Sequence, residues 1–416
     1  MTAPPSALPP QPIADRTAVF GPSLRILMVV PKYPYPVTGG VERQAHELSR
    51  TLIRGFGVTV HVLAARFDSS HKPHDVVEGV PVIRVGWSDT RWVRYVLLPF
   101  QIAHAIWNLR KVTDVIHVHE HSPFGLFAIA VSRLLGLPVL AKLPNYGQQG
   151  IPGMRRSLTG RIAARVLLHA SAFVAMSDVC LDELLEAGVP RSRVLTTPNG
   201  ILPSRPRVID PLPTQPTTTS PCRVVYVGRI SRQKRIDVLL CAWHKIHGKV
   251  SKKAVLEIWG DGPLRAELEQ WCRDRNLCSS VSWRGHVPNV RNQLSMADVF
   301  VLPSSNEGNS NAILEAMDAA LPVVATPVGG TPMQLGAHGA PFLTQVDDAD
   351  TMAQRLLLLT NDPILRREYG NALRSRVLEH FDLAKVARNY VCAYRKLATC
   401  QELDLTDCAR LPTRVD

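Results

Sequence analysis

Two cations five positions apart in the second half of the chain could hold a diphosphate. Arg229 and Lys234 lie in the polar segment Gly228–Lys234, directly after the apolar run Val224–Val227. Arginine binds phosphate oxygens through a bidentate fork and lysine binds them as a point charge, so the pair could neutralise a diphosphate leaving group. A solvated basic loop is the alternative interpretation.

Two carboxylates further along could bind hydroxyl groups. Glu307 precedes a predicted helix, and Glu315, eight positions on, lies about two turns into it. One carboxylate could meet a sugar and the other the ribose hydroxyls, while free N–H groups at the helix start face phosphates. Glu307 as a helix cap and Glu315 as a surface charge are the alternatives. Apolar neighbours on both sides of Glu315 oppose the second, because a carboxylate there needs a partner.

A glycine pair lies between the first predicted strand and the first predicted helix. Gly39 and Gly40 could expose backbone N–H groups near a helix N-terminus, a geometry that favours phosphate. A tight turn explains the same pair without a ligand.

Alternating histidines and a polar loop mark the ends of two other predicted strands. His117, His119 and His121 could ligate a metal, but no matching Asp or Cys cluster follows, so we expect no metal and a structural role for His117. The loop Lys142–Gly150 predicts acceptor contacts from Lys142, Asn145 and Tyr146, or an ordinary surface loop.

One aromatic-rich segment has two interpretations. Residues Arg91 to Lys111 place Trp92, Tyr95, Phe100 and Trp107 between basic ends. We expect these aromatic side chains to pack in the core. The alternative is a basic amphipathic helix that rests on an anionic membrane.

The elements that position these residues follow from the hydrophobic pattern. Apolar runs alternate with helical periodicity, as in the helix predicted for 41–54, which is typical of a parallel, doubly wound α/β sheet. In the first half we predict strands at residues 24–30, 58–63, 80–85, 114–119, 138–143 and 172–176. In the second half we predict them at residues 224–227, 255–259, 281–283, 299–302 and 323–325.

Length and composition divide the chain into two domains. A chain of 416 residues exceeds one ordinary core, and a Pro- and Thr-rich stretch separates the two strand series. We expect two Rossmann-like domains with a cleft between their strand ends. The predicted regions are a disordered tail at 1–22, an N-terminal domain at 23–205, a linker at 206–221, a C-terminal domain at 222–380, a helix at 381–400 that packs back towards the N-terminal domain, and a tail at 401–416.

Charge and cysteine usage limit the partners and the compartment. The formal charge of +13 favours anionic partners, but no nucleic-acid-binding module accompanies it, so we expect no nucleic acid. No membrane-spanning run or signal peptide is apparent. We expect a cytoplasmic protein, with peripheral contact at the inner face of the membrane as an alternative, and we interpret its eight cysteines as reduced thiols.

The ordered set of motifs resembles the retaining family 4 glycosyltransferases. The segments that carry the resemblance are Thr38–Glu42, His117–Glu120, Asn199–Ile201, Val227–Arg229 with Lys234, Gly260–Pro263, Glu307–Gly308 with Glu315–Met317, and Pro322–Thr326 before Gly329 and Gly330. The resemblance implies a GT-B fold and a retaining transfer from a nucleotide diphosphate sugar, with no cofactor or metal. It also implies that the C-terminal domain binds the donor and the N-terminal domain the acceptor.

The resemblance also assigns roles. It implies a diphosphate clamp for Arg229 and Lys234, a donor-sugar contact for Glu307, a ribose contact for Glu315, and a sugar contact near the reacting carbon for His119. Catalysis is expected to depend on His119, Arg229, Lys234 and Glu307. The predicted donor-binding set also contains Gly39, Gly40, Gly228, Gly260, Gly262, Pro263, His286, Val287, Gly308, Asn309, Ser310, Asn311 and Glu315.

Departures from the family pattern leave the substrate open. Asn309, Ser310 and Asn311 stand where many members carry an aromatic residue or proline, which affects donor-sugar choice. We expect transfer of a hexose or N-acetylhexosamine from a UDP-sugar, favoured over GDP-mannose, to a saccharide, lipid-linked or small-molecule hydroxyl. A nucleotide-sugar epimerase of the same fold and a non-catalytic nucleotide-sugar-binding protein are the alternatives.

Overall fold

The structure is a computed structural model of the chain. It describes residues 23–33, 39–86, 91–204, 221–250, 254–399 and 403–413. The predicted tail at 1–22 and almost all of the predicted linker at 206–221 lie outside the described residues.

Two parallel sheets organise the described chain, as predicted for the fold class. The N-terminal sheet has eight strands in the order β3-β4-β2-β1-β5-β6-β7-β8, all parallel except for the antiparallel pair β3 and β4. Its strands are β1 Arg25–Val29, β2 Thr59–Ala65, β3 His74–Val77, β4 Val80–Val85, β5 Val115–Val118, β6 Val139–Lys142, β7 Ala172–Ala175 and β8 Val194–Thr196.

The C-terminal sheet has five parallel strands in the order β11-β10-β9-β12-β13. They are β9 Cys222–Val227, β10 Ala254–Trp259, β11 Val281–Gly285, β12 Val299–Leu302 and β13 Val323–Ala325. Every strand predicted from the apolar runs is confirmed. The short strands β3 and β8 were missed.

Helices alternate with these strands. In the first half they are α1 Gly40–Phe56, α2 Arg91–Leu109, α3 Pro123–Leu134, α4 Ile151–Met154, α5 Leu158–Leu168 and α6 Asp178–Glu186. In the second half they are α7 Ile236–Ile246, α8 Arg265–Asp274, α9 Val290–Leu294, α10 Asn311–Asp318, α11 Thr331–Gly339, α12 Ala349–Asn361, α13 Pro363–His380 and α14 Leu383–Ala398.

The N-terminal sheet is covered on both faces, which explains why its strands are apolar runs. In β1, Leu27 and Met28 belong to the cores on opposite faces of the sheet, and both are fully buried. Helices α2, α3 and α5 pack on the Leu27 side, whereas α1 and α14 pack on the Met28 side. The helix predicted for residues 381–400 is α14, and it therefore packs on the N-terminal sheet.

The end of the chain differs from the prediction. Residues 403–413, predicted as a tail, fold back onto α14, where Leu405 is fully buried and its N–H donates to the Ser192 carbonyl at 2.8 Å. This packing brings Cys408 to Cys392, and the two form a disulfide. The prediction of reduced thiols is therefore wrong for this pair. Their separation of 16 residues leaves no CxxC pattern in the sequence.

The remaining described cysteines carry free thiols, while Cys400 lies outside the described residues. The free cysteines are Cys180, Cys222, Cys241, Cys272 and Cys278.

We expect loss of the disulfide to destabilise the N-terminal half. Replacing Cys392 and Cys408 together by serine removes a cross-link whose loop length corresponds to roughly 3 kcal/mol of unfolding free energy. The melting temperature of the double variant should fall, and a reductant should lower the wild-type value towards it. Cys278→Ser, which changes an exposed free thiol, is the control. A wild-type melting temperature that is insensitive to reductant would contradict the pairing.

Candidate active site

The candidate residues lie at the carboxyl ends of strands from both sheets. In the C-terminal sheet, Arg229 and Lys234 follow β9, His286 follows β11 and Glu307 follows β12. In the N-terminal sheet, Gly40 begins the helix after β1. Ligands of open α/β sheets bind at these edges. The structure thus brings the two predicted sets of loops to one interdomain cleft.

Lys234 and Glu307 form an ion pair in this cleft. The Nζ of Lys234 lies 2.5 Å from Oε1 of Glu307, and both side chains are largely buried. Glu307 does not cap the following helix, because Ser310 occupies the cap and accepts from the N–H of Ile313 at 3.5 Å. Arg229 is exposed, and its guanidinium forms no ion pair with a described carboxylate. Among the described residues of this loop, the exposed Arg229 therefore lies near the paired Lys234 without a carboxylate partner of its own.

Glu315 has the partner that its apolar surroundings require. Its carboxylate is buried and lies 2.6 Å from Nη1 of Arg43, which α1 contributes from the other sheet. Burial raises the pKa of Glu315, and the charge of Arg43 opposes that rise. Arg43 thus supplies, from across the cleft, the positive charge that favours the ionised form of this buried carboxylate.

Asn199 joins the two halves through its side-chain amide. The Nδ2 group donates to the carbonyl of Asn309 at 3.0 Å and to Oδ1 of Asn311 at 2.9 Å, while Oδ1 accepts from Lys142 Nζ at 2.7 Å. The backbone N–H of Asn199 also donates to Oδ1 of Asn309 at 3.2 Å. We call Lys142, Asn199, Asn309 and Asn311 the Asn199 cluster.

The N-termini of α1 and α10 meet beside this cluster. The side-chain amide of Asn311, the first residue of α10, donates to the carbonyl of Gly40, the first residue of α1, at 2.8 Å. A Cβ on Gly40 would lie 3.0 Å from that amide nitrogen. The partial positive charges of two helix N-termini therefore converge, an arrangement that favours an anion.

Glycine is required where the turns after β9 and β10 touch. Gly228 and Gly260 have φ of 156° and 141°, and a Cβ on Gly260 would lie 1.9 Å from the Gly228 carbonyl oxygen. A Cβ on Gly262 would lie 2.2 Å from the Ile230 carbonyl oxygen. These contacts bring the segment Gly260–Pro263 beside the loop of Arg229. His286 is exposed and Val287 half-buried after β11, the neighbouring strand.

Comparison with known proteins identifies the class of this chain. The family model for Glycosyltransferase Family 4 matches residues 38–205, and that for Glycosyl transferases group 1 matches residues 221–362. The two matches together span most of the chain. The chain belongs to the family 4 glycosyltransferases of GT-B fold.

Relatives and solved structures extend over both domains of this glycosyltransferase. It is 28% identical to alpha-maltose-1-phosphate synthase of Mycolicibacterium smegmatis, over 90% of this chain and 100% of the relative. It is 26% identical to a Bacillus subtilis protein named as a teichuronic acid biosynthesis glycosyltransferase, TuaC, over 88% and 96% of the two chains.

Two solved structures share the fold. Sucrose-phosphate synthase of Thermosynechococcus elongatus superposes with a TM-score of 0.72 at 20% identity, covering 91% of this chain and 100% of that one. HepE of Anabaena gives a TM-score of 0.69 at 18% identity, covering 88% and 98%. These likenesses show the two-domain GT-B architecture.

His119 of the glycosyltransferase lies below the cleft surface. Its side chain is fully buried, Nε2 lies 3.1 Å from the sulfur of Met28, and Nδ1 has no hydrogen-bond partner among the described residues. The centre of its ring lies 4.0 Å from that of His117, with the two ring planes tilted by 30°, and His117 Nδ1 lies 2.7 Å from the Tyr394 hydroxyl. Burial holds the pKa of both imidazoles well below the ordinary value, so both are neutral.

The alternative interpretation of the alternating histidines was a metal site, which requires several ligands close together. No three His, Cys, Asp or Glu side chains gather there in a metal-binding group. His121 has a different partner from the other two histidines, because its Nε2 lies 3.1 Å from the Gln149 carbonyl oxygen. Within the same described ranges, no helix is both long and apolar enough to cross a bilayer.

The three candidate acceptor residues, Lys142, Asn145 and Tyr146, have different surroundings in the structure. Lys142 is buried in the Asn199 cluster, whereas Tyr146 packs against the backbone of Gly329, where a Cβ would lie 2.8 Å from its ring. Asn145 is half-buried between them in the chain. Burial raises the pKa of Tyr146. Tyr146 is thus the member of the three that lies beside the Glu307 loop.

A cavity of about 700 Å³ opens next to the Lys234–Glu307 pair. Gln149 lines it from the N-terminal domain, and Gln233 and Asn306, the neighbours of the ion pair in the chain, line it from the C-terminal domain. Its volume is in the range that accommodates small-molecule ligands.

Sequence reasoning missed four residues that build the site. Arg43 and Asn199 act across the cleft, and no local pattern reveals their partners. Gln334 is fully buried and bonds the backbone of Ser310 at both N–H and carbonyl. Glu183 accepts from the N–H groups of Gly147 and Ile151, each at 2.6 Å. Leu184 and Leu185 follow Glu183, which is a weaker form of the signal that pointed to a partner for Glu315, because Asp182 precedes it.

We expect Lys142→Met to change the pH dependence of stability. Burial lowers the pKa of Lys142 to about 7, whereas an unfolded lysine titrates near about 10.4. The unfolded chain therefore binds more protons between these values, and wild-type stability rises with pH across this window. The variant lacks that contribution, which is at most about 1.4 kcal/mol per pH unit.

The measurement is the difference in melting temperature between wild type and variant across this pH window. The variant should be favoured most at the acid end and lose its advantage as pH rises. Lys111→Met, which changes an exposed lysine, should follow the wild type at every pH. A difference between wild type and Lys142→Met that does not change with pH would contradict the lowered pKa.

Proposed function

We propose that this glycosyltransferase moves a hexose or N-acetylhexosamine from a UDP-sugar to an acceptor hydroxyl. We further propose that the anomeric configuration is retained and that no metal is needed. The observation that carries the proposal is the convergence of Arg229, the Lys234–Glu307 pair and the N-termini of α1 and α10 at one cleft. Such an arrangement suits a diphosphate joined to a sugar.

The phosphates would bind to Arg229 and Lys234. Phosphate oxygens would replace Glu307 as the partner of Lys234, which would leave the Glu307 carboxylate to accept hydroxyls of the donor sugar. The exposed guanidinium of Arg229 provides the second charge. Fixed cations aimed at the developing charge of the leaving group stabilise the transition state.

The leaving phosphate would itself take the acceptor proton. The ring of His119 is fully buried, and burial holds its pKa well below the ordinary value, so this weakly basic ring is not the proposed base. Charge stabilisation and positioning would then account for most of the catalysis. Because the acceptor attacks the face from which the phosphate departs, the configuration at the reacting carbon is retained.

The support for the proposed nucleotide comes from the named relatives and solved structures. HepE of Anabaena is described in complex with UDP-glucose, and an Escherichia coli relative, 31% identical over 38% of this chain, is named as a galactosyltransferase using UDP-Gal. These names favour UDP over GDP as the carrier. The acceptor remains a saccharide, a lipid-linked saccharide or a small molecule with a free hydroxyl.

We expect Arg229→Ala and Lys234→Ala each to lower kcat by about 100-fold, because each removes one charge from the leaving group. The assay is UDP or GDP release from UDP-glucose, UDP-galactose, UDP-N-acetylglucosamine and GDP-mannose, with and without cell extract as the acceptor source. Arg273→Ala, which changes an exposed arginine on α8 that does not line the cavity, should keep wild-type activity.

Product masses decide between the proposed functions. A glycosylated acceptor or free sugar supports transfer, whereas an epimerised nucleotide sugar formed alone would replace transfer by epimerisation. Donor binding without turnover in the wild type would indicate a non-catalytic binding protein.

We expect Arg43→Ala to make UDP binding more sensitive to acid. Glu315 would accept the ribose hydroxyls as a carboxylate, and removal of Arg43 would raise its pKa further. The affinity of the variant for UDP should therefore fall more steeply than that of the wild type as pH decreases from neutral. Titration calorimetry with UDP measures this.

Glu315→Gln is the matched control. It should bind UDP weakly, with little dependence on pH. Wild-type affinity in Glu315→Gln would remove the ribose role from this residue.

A further inference from the structure

Large apolar side chains are exposed on three neighbouring helices of the N-terminal domain. Phe100 and Trp107 of α2 are 68% and 50% exposed, Leu134 of α3 is 86% exposed, and Leu158 and Ile162 of α5 are 78% and 62% exposed. Helix α2 packs on α3 and α3 packs on α5, and all three cover one face of the sheet. Their outer sides therefore form one continuous surface, which we call the α2-α3-α5 face.

Core packing was predicted for the aromatic residues of α2, and the structure contradicts this for Phe100 and Trp107. The side chains of Trp92 and Tyr95 lie outside the described residues. Helical spacing explains the result, because Ile102 and Ile106 occupy the inner side of α2 and leave Phe100 and Trp107, seven positions apart, on its outer side.

Helix α5 repeats this arrangement with basic residues added. Ala164 and Leu167 face the core, while Leu158, Ile162 and Arg165 recur at helical spacing on the exposed side. Both helices are thus apolar on their inner sides and carry exposed apolar side chains outside. Isolated exposed apolar residues are ordinary, but a continuous patch marks an interaction surface.

The charge of the α2-α3-α5 face has one sign. The sequence contains no Asp or Glu from His121 to Ser177, and none within α2. The exposed arginines of this stretch form no ion pair with a described carboxylate; they are Arg133, Arg155, Arg156, Arg161 and Arg165. Acidic residues reappear on α6, where Asp178 and Asp182 are exposed.

Trp107 and Arg110 combine both properties at one point. The guanidinium of Arg110 lies 3.6 Å from the centre of the Trp107 ring, and the exposed Lys111 follows. An amphipathic ring flanked by cations suits the boundary between lipid head groups and acyl chains.

We propose that the α2-α3-α5 face docks on the surface of an anionic lipid bilayer. Apolar side chains would enter the head-group and acyl boundary while the arginines meet lipid phosphates. A nucleic acid would use the arginines but would leave Leu134, Leu158 and Ile162 without a partner. The proposal is independent of the proposed reaction, since the face lies outside the cleft.

The docking face is continuous with the loop that borders the cleft. Arg156, which precedes α5, donates to Oε1 of Gln148 at 2.7 Å, and Gln148 lines the interdomain cavity. Bilayer contact through this face would therefore bring the entrance of the cavity near the membrane surface.

The test is sedimentation of the full chain with vesicles. One set contains phosphatidylcholine alone, and the other contains equal parts of phosphatidylcholine and phosphatidylglycerol. We expect binding to the anionic vesicles, little binding to the neutral ones, and weaker binding as salt increases. Equal binding to both sets, or binding to neither, would overturn the proposal.

Two multiple variants assign the binding to the face. Phe100, Trp107, Leu158 and Ile162 changed together to serine should lower vesicle affinity at least about tenfold, because the apolar contact is lost. Arg155→Glu with Arg161→Glu and Arg165→Glu should do the same by removing the attraction to lipid phosphates.

The matched control changes exposed apolar residues elsewhere. Leu358 on α12 and Ile364 on α13 are also exposed, and their replacement by serine should leave vesicle binding unchanged. Melting temperature and UDP binding of all variants should match the wild type, which separates lost docking from misfolding.

Two further outcomes would overturn the proposal. If neither multiple variant alters vesicle binding, the bilayer contact lies elsewhere on the protein. If the serine variant instead converts an oligomer to a monomer in size-exclusion chromatography while vesicle binding persists, the face is a protein interface.

Discussion

The geometry of the cleft depends on one buried amide, that of Asn199. Its side chain uses both its donor and its acceptor groups at once, towards Asn309 and Asn311 of the C-terminal domain and Lys142 of its own domain. Amide groups buried without partners destabilise a protein, so this arrangement favours one relative position of the domains. That position allows Arg43 to reach Glu315 and Asn311 to reach Gly40.

The parts of the fold that the sequence predicts are those governed by local patterns. A strand buried on both faces is mostly apolar, which is why the runs at β1, β7 and β12 located the sheets. The antiparallel strand β3 has two exposed residues and one half-buried residue among its four, and β8 has only three residues. Neither strand therefore forms an apolar run that the sequence pattern could reveal. The last residues fold back because Leu405 packs into the core between the N-terminal sheet and α14, and no local sequence pattern predicts this long-range contact.

The part of the site that the sequence predicts consists of residues whose own neighbours in the chain indicate an interaction partner. A carboxylate among apolar neighbours must have a cation, and for Glu315 this requirement pointed to a partner that the structure supplies as Arg43. The identity of the partner could not be predicted, because it comes from the other sheet. For His119 the sequence did not predict the surroundings, because its motif gives no sign that its ring is buried beneath the cleft surface.

The departure at Asn309, Ser310 and Asn311 has a structural explanation. Asn309 donates to the Met176 carbonyl at 3.3 Å, in addition to its bonds with Asn199, and Asn311 donates to Gly40. An aromatic residue or proline at these positions could not make these bonds. The side chains of Asn309 and Asn311 therefore set how the two domains meet, whereas the Ser310 side chain caps α10 within its own domain.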